Sequence, residues 1–216
     1  MLIPLSVSYA HAGRLADARD AIARAQSAHD RSGAKIKRAI GAETAGSNEL
    51  IAGNPTQAEH YLREAYEAFR AMGLRGQLSS AAGMLAEALY AQGRLDQAQQ
   101  MTQQAQAAAA PDDTDAQARW RAARAKVLAR AGQFPAAHTL LDEADALVSP
   151  TCWAALQAEI LLARAEVDRL AGAPERAEAS LRAALRIYQG RHATPLVDQV
   201  TAALANLTGH PSAKPA

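Results

Sequence analysis

The sequence is poor in the side chains that build most cores and in those that carry most chemistry. Its 216 residues include two tryptophans, two phenylalanines and five tyrosines. Sheets draw on aromatic and β-branched residues, whereas about a quarter of this chain is alanine, the best helix former and a poor strand former. A sheet protein is excluded, and a closely packed all-helical chain is expected. The single cysteine, Cys152, cannot form an internal disulfide, which suits a reducing cytoplasm. Charge of one sign is also missing. Lys plus Arg is 23 against 22 for Asp plus Glu, a net charge of +1, so no whole-molecule field draws in nucleic acid or an anionic membrane. The apolar N-terminal stretch from Leu2 to Ala10 contains Pro4 and Ser6, has no basic leader and ends at His11. It is too short to span a membrane and poor as a signal peptide.

The familiar chemical motifs are absent as well. None of the thirteen glycines opens a Gly-x4-Gly-Lys-Ser/Thr loop, so no nucleotide site of that kind is encoded. Histidines at 11, 29, 60, 138, 192 and 210 never reach metal-ligand spacing with one another or with Cys152. Cys152 at the start of a helix reads as a small packed residue, and Asp112-Asp113 and Asp142-Glu143 as helix caps and solvated faces. No catalysis, metal or cofactor is expected.

What the chain does have is a period. Glycines stand at 13, 53, 93, 132 and 172, spaced 40, 40, 39 and 40 apart. Five residues after each comes an alanine (18, 58, 98, 137, 177), and twelve after each another (25, 65, 105, 144, 184). Nine after each stand Ile22, Leu62, Thr102, Leu141 and Leu181, and seven before each is a small residue: Ser6, Gly46, Ala86, Ala125 or Ala165. Two alanines seven apart with a larger residue between them share one helix face, so the second helix of each unit can approach the first closely. The spacing predicts an antiparallel helix pair in every repeat, the glycine ending the first helix. Pro55 and Pro174 then fall in the first turn of the second helix, with Asn54 as a cap before Pro55. Inter-repeat turns are expected at 29–35, 73–80, 111–115 and 149–151, with Asp112, Asp113 and Thr114 as caps for the helix that follows.

The pattern Gly-x4-Ala-x6-Ala after a small and a hydrophobic residue, cleanest in Leu85-Ala-Glu-Ala-Leu89-Tyr-Ala-Gln-Gly93-Arg-Leu-Asp-Gln-Ala98, resembles the tetratricopeptide repeat. The likeness covers about residues 2 to 190. The period of about 40 exceeds the usual ~34, and the expected proline after the second helix is clear only at Pro111 and Pro150. Long units of this kind resemble the C-terminal repeat regions of bacterial cyclase-type and AAA-ATPase-type regulators, most of all over Pro111 to Arg130. The resemblance implies a right-handed all-α solenoid of about five helix pairs, a cytoplasmic non-catalytic interaction scaffold. The alternative is the C-terminal sensor region of a larger cyclase or ATPase-type regulator.

In the resembling fold the first helices line a concave groove at positions two, three, six, ten and thirteen before each glycine. In the fourth repeat these include Arg119, Lys126 and Arg130, which share one helical stripe. Tyr90 and Glu87 come from the third repeat, Glu166 and Arg169 from the fifth. A basic strip beside an aromatic suits an acidic peptide or a chain-terminal carboxylate; the plainer reading is a solvated face whose charges alternate with Glu159 and Glu166. Arg124 and Arg164 stand where other repeats carry leucine and should lay their methylenes along the seam between helices.

The expected organisation is a repeat array over 1–190, a capping helix over 191–208 with Leu196, Val197, Val200, Leu204 and Leu207 at helical spacing, and a disordered tail over 209–216. The N-terminal end should expose Leu2, Ile3, Leu5, Val7 and Tyr9 to an upstream domain or to a second copy.

Overall fold

The computed structural model describes residues 2–151 and 153–207. The expectations for Cys152 and for the tail after 208 lie outside the described residues. Among those residues every regular element is an α-helix: α1 (Leu2–His11), α2 (Leu15–Ser32), α3 (Lys35–Ile51), α4 (Pro55–Met72), α5 (Arg75–Ala91), α6 (Leu95–Ala108), α7 (Thr114–Arg130), α8 (Phe134–Val148), α9 (Ala154–Leu170), α10 (Pro174–Gly190) and α11 (Thr194–Leu207). Each glycine of the 40-residue series turns the chain from an odd-numbered helix into the next even-numbered one, with φ between +73° and +75°. A side chain at that φ is strained, which is why glycine recurs there.

Successive odd helices, α1 to α9, pack against one another as well as against their partners, whereas successive even helices have no comparable contact. The odd helices therefore form the inner layer of a curved array and the even ones its splayed outer layer. Apart from the glycines themselves, every repeat position named above is buried, from Ala18 and Ile22 in the first pair to Ala177 and Ala184 in the fifth. The fold is an α-solenoid of tetratricopeptide-like helix pairs.

Local chemistry explains most helix ends. Pro55 and Pro174 occupy the first turns of α4 and α10, and the Asp113 carboxylate accepts from the Ala116 N–H at 3.0 Å to cap α7. Asn54 departs from expectation. Its side chain does not cap α4 but donates through Nδ2 to Glu49 Oε2 at 3.0 Å. The reason is burial: Glu49 is 1% exposed, and its carboxylate is satisfied by Asn54 together with both arms of Arg19 at 2.7 and 2.9 Å. Thr102, the odd polar residue of the +9 series, is explained by Arg124, which donates to its hydroxyl at 3.2 Å. Arg124 also lies 4.8 Å from the Trp120 ring centre, so its stem fills the seam between α6 and α7.

Among the described glycines, Gly46 sits in the tightest inter-helix contact. A Cβ built there would lie 2.5 Å from Leu62 Cγ, 2.9 Å from Leu62 Cδ2 and 3.2 Å from the Ala58 carbonyl oxygen. Leu62 is fully buried and has nowhere to go. Gly46→Ala should therefore lose about 1–2 kcal/mol net in urea unfolding, overpacking outweighing the ~1 kcal/mol that alanine gains in a helix interior. A stabilised variant would show that α3 and α4 are less tightly seated than this geometry requires.

The two ends of the array meet. Pro195 at the start of α11 lies beside the Gly13 turn, where an added Cβ would be 3.7 Å from Pro195 Cγ, and Gln199 Nε2 donates to the Ile51 carbonyl at 2.8 Å. Leu2, Ile3, Leu5, Val7 and Tyr9 of α1 stay at least partly exposed, Leu5 by 41%. No helix among the described residues is long and apolar enough to cross a membrane.

Candidate functional site

The inner layer places the seven charged or aromatic side chains that the resemblance implied along one face of α5, α7 and α9. Lys126 of α7 pairs with Glu87 of α5, and its ammonium lies 4.7 Å from the centre of the Tyr90 ring. Tyr90 reaches past α7 to α9, its hydroxyl donating to Glu166 Oε1 at 2.9 Å across 76 residues of sequence. Arg130 donates through Nε to the Tyr90 oxygen at 2.9 Å and through Nη2 to Glu166 at 3.0 Å, and Arg169 chelates the same carboxylate at 2.9 and 3.0 Å. A bond from the third repeat to the fifth is possible only because the layer curves, so this face is concave.

Arg119 is the hub of a second cluster, one helical turn and more along the groove. Its Nε donates to both oxygens of Asp115 at 3.0 and 2.9 Å, and its Nη1 pairs with Glu159 of α9. The carboxyl of Glu43, on α3, lies close enough to feel the Arg119 charge although α5 stands between. The intervening position of α5 is Gly83, which contributes no side chain to separate them, and a Cβ there would fall 3.7 Å from Arg119 Cβ. Glu43 stands ten residues before Gly53, one of the groove positions of the second repeat. Extending the register count to α3 would have found it; Asp115 carries no such signal, because it reaches the groove only through its own helix's Arg119.

Electrostatics within the groove follow from enclosure. Arg119 and Glu159 keep 26% and 44% of their side-chain surface open, but that surface faces the interior of the curve, with protein on the other sides. Burial pushes the Glu43 carboxyl up to about 7, Arg119 pulling it down and Asp115 adding to the rise. Burial raises Glu159 too, against the pull of Arg119. Glu166 goes the other way: burial favours its neutral form, but hydrogen bonds from Arg169 and Tyr90 and the charges of Arg169 and Arg130 outweigh it and hold the carboxyl low. Burial pushes the Tyr90 hydroxyl up to about 12, so it remains a donor at any working pH.

The strip is thus not a free basic surface, since Arg119, Lys126 and Arg130 are each bound to a carboxylate. What it presents is a pre-assembled network of alternating charge around one tyrosine. No group of histidine, cysteine or carboxylate residues with the geometry of a metal site occurs among the described residues.

No family model matches the chain, and neither does any curated protein. Solved structures do. The crystal structure of BtubC (BKLC) from P. vanneervenii aligns with a TM-score of 0.56 at 18% identity, over 91% of this chain and 94% of that one. The crystal structure of the APC/C hetero-tetramer Cut9-Hcn1 aligns with a TM-score of 0.48 at 15% identity, over 92% of this chain and 42% of that one. At the identity of the first, what is shared is the architecture. The chain is an all-helical repeat solenoid whose inner face carries the charged network.

Proposed function

We propose that the protein is a non-catalytic interaction scaffold that holds a protein or peptide partner in the groove lined by α3, α5, α7 and α9. The observation that carries this reading is the convergence of Glu87, Tyr90, Arg119, Lys126, Arg130, Glu166 and Arg169, from three successive repeats, on one concave face. Their side chains are already held by hydrogen bonds, to one another or, for Arg119, to Asp115 and Glu159, so a partner meets a surface that costs little further ordering. Because each cation has its carboxylate, the groove suits a segment that offers both signs and exchanges ion pairs with it. The aromatic face of Tyr90, flanked by Lys126 and Arg130, supplies the anchor.

The test is recovery of partners from a lysate of the source organism by wild type and by Tyr90→Ala/Arg130→Ala, with circular dichroism confirming equal helicity. The double variant should retain no more than about a tenth of the wild-type recovery, as expected when a hot spot is truncated. Equal recovery would remove the groove as the binding surface.

The likeness of residues 111–130 to regulator arrays supports a second reading, in which the same groove is the sensor region of a cyclase or ATPase-type regulator. An in-frame catalytic module encoded upstream decides for it.

A further inference from the structure

The last inner position of the solenoid is occupied unlike the others. α11 follows α10 as α9 follows α8, yet it does not lie against α9 in the way that each earlier odd helix lies against its predecessor. It packs on α10 and leans instead toward the Gly13 and Gly53 turns, where Pro195 and Gln199 make their contacts. Between α9, α10 and α11 this leaves a half-open cavity of about 610 Å³.

Its walls are aliphatic, with Leu162 from α9, Leu181 from α10 and Ala203 and Leu207 from α11. Three of these four, all but Leu181, remain partly exposed, so the cavity is an unfilled part of the core. One edge is charged. Arg169 and Glu166 line it, and Glu166 already accepts from Arg130, Arg169 and Tyr90. Two guanidinium groups on one carboxylate leave an excess of one positive charge at that edge. Arg169 uses Nε and Nη2 on Glu166, while its Nη1 has no partner among the described residues. The neighbouring acid, Asp168, adds no negative charge here, because it is buried against Arg176 at 2.7 Å and beside His138.

An aliphatic chamber of this size with a single cationic group at its edge has the composition of a small-molecule site. We infer that it binds an aliphatic monocarboxylate, a free acid with an apolar chain of about eight to ten carbons, the chain against Leu162, Leu181 and Leu207 and the carboxylate on Arg169 Nη1. Gln199 and Asn206 of α11 add two neutral polar groups to the lining, which is otherwise mostly apolar. The site shares Arg169 and Glu166 with the partner groove but needs no protein there, and the titration below uses the chain alone.

The test is a titration of the ¹⁵N-labelled full chain with sodium decanoate below its micelle concentration, followed by amide shifts. Two further ligands serve as arms: decan-1-ol, which keeps the chain and loses the charge, and a soluble pentapeptide ending in leucine with a free carboxylate. Decanoate should give saturable shifts centred on α9, α10 and α11. Arg169→Gln should weaken it about tenfold, and decan-1-ol should bind wild type no better than decanoate binds that variant. Ala203→Phe, which fills the chamber, should abolish the shifts; if that variant fails to fold, the Arg169→Gln and decan-1-ol comparisons decide alone. Absence of saturation, equal affinity for decan-1-ol, or undiminished binding by folded Ala203→Phe would overturn the assignment. Tighter binding of the peptide than of decanoate would also overturn it, by giving the site to a chain terminus.

Discussion

Replacing Arg119 by methionine should lower stability at pH 8 by about 2–4 kcal/mol in urea unfolding. Methionine keeps most of the apolar stem, so the loss reports the guanidinium. That group holds Asp115 through two contacts and Glu159 through a third, and its charge also acts on Glu43. Without it three carboxylates face one enclosed space, and Lys126, two turns along the same helix, is already bound to Glu87. Breaking a buried pair by removing one partner costs about 3–5 kcal/mol; the range is set lower here because 26% of the Arg119 side chain is open to solvent. The loss should shrink at pH 5, since carboxylates deprived of Arg119 take up protons there and stop repelling one another. Arg182→Met is the control. Its partner Glu178 is one helical turn away on an open face, and the change should cost less than about 0.5 kcal/mol. If the two variants lose the same amount, or if the Arg119 loss does not depend on pH, Arg119 is not the hub described here.

The parts of this molecule that could be read from its sequence are those where one residue type is forced at a fixed interval. Gly13, Gly53, Gly93, Gly132 and Gly172 recur because the turn needs a left-handed backbone, and Ala58 or Ala137 because two helices touch there. The groove offsets of the resembling fold, counted from those glycines, also pointed to Tyr90, Lys126, Arg130, Glu166 and Arg169, since a groove position in one repeat is a groove position in the next. The pairing of those side chains was not legible in the same way. It depends on how tightly the layer curves, and curvature comes from the difference in side-chain bulk between inner and outer helices, which no single interval encodes. For that reason the reach of Tyr90 past α7, the influence of Arg119 on Glu43 over the empty position at Gly83, and the approach of α11 to the Gly13 turn emerge only in three dimensions. Asn54 illustrates a different limit. Its place before Pro55 suits a cap, but the buried carboxylate of Glu49 nearby competes for the same amide and wins, because an unsatisfied buried charge costs more than an uncapped helix end.

Glu43 gives the second large effect, and its sign is opposite. The carboxyl titrates near 4.5 as an unperturbed group and at about 7 in the folded protein, raised first by burial, with Arg119 opposing and Asp115 adding. Between those values the folded state holds a proton that the unfolded chain has released. Stability contributed by this group is therefore highest below pH 4.5, falls as pH rises toward 7, and above that stays lower by about 3 kcal/mol. Glu43→Gln replaces the carboxyl with a neutral amide of the same shape, which has no proton to lose. The variant should match wild type at pH 4.5 and exceed it by about 1–3 kcal/mol at pH 8, the gap opening between pH 5 and pH 7. Urea unfolding of both proteins across that range gives the difference directly, and every other titrating group cancels in it to first order. A gap that is constant with pH, or that favours wild type at pH 8, would mean the carboxyl is solvated or paired in a way this geometry excludes. The same substitution should return part of the stability lost in Arg119→Met, because removing the guanidinium leaves Glu43 as one of the uncompensated charges. A double-mutant cycle at pH 8 should then show the two changes failing to add by about 1 kcal/mol or more. Simple additivity would separate Glu43 from the Arg119 cluster, leaving a groove of three repeats where the structure joins four.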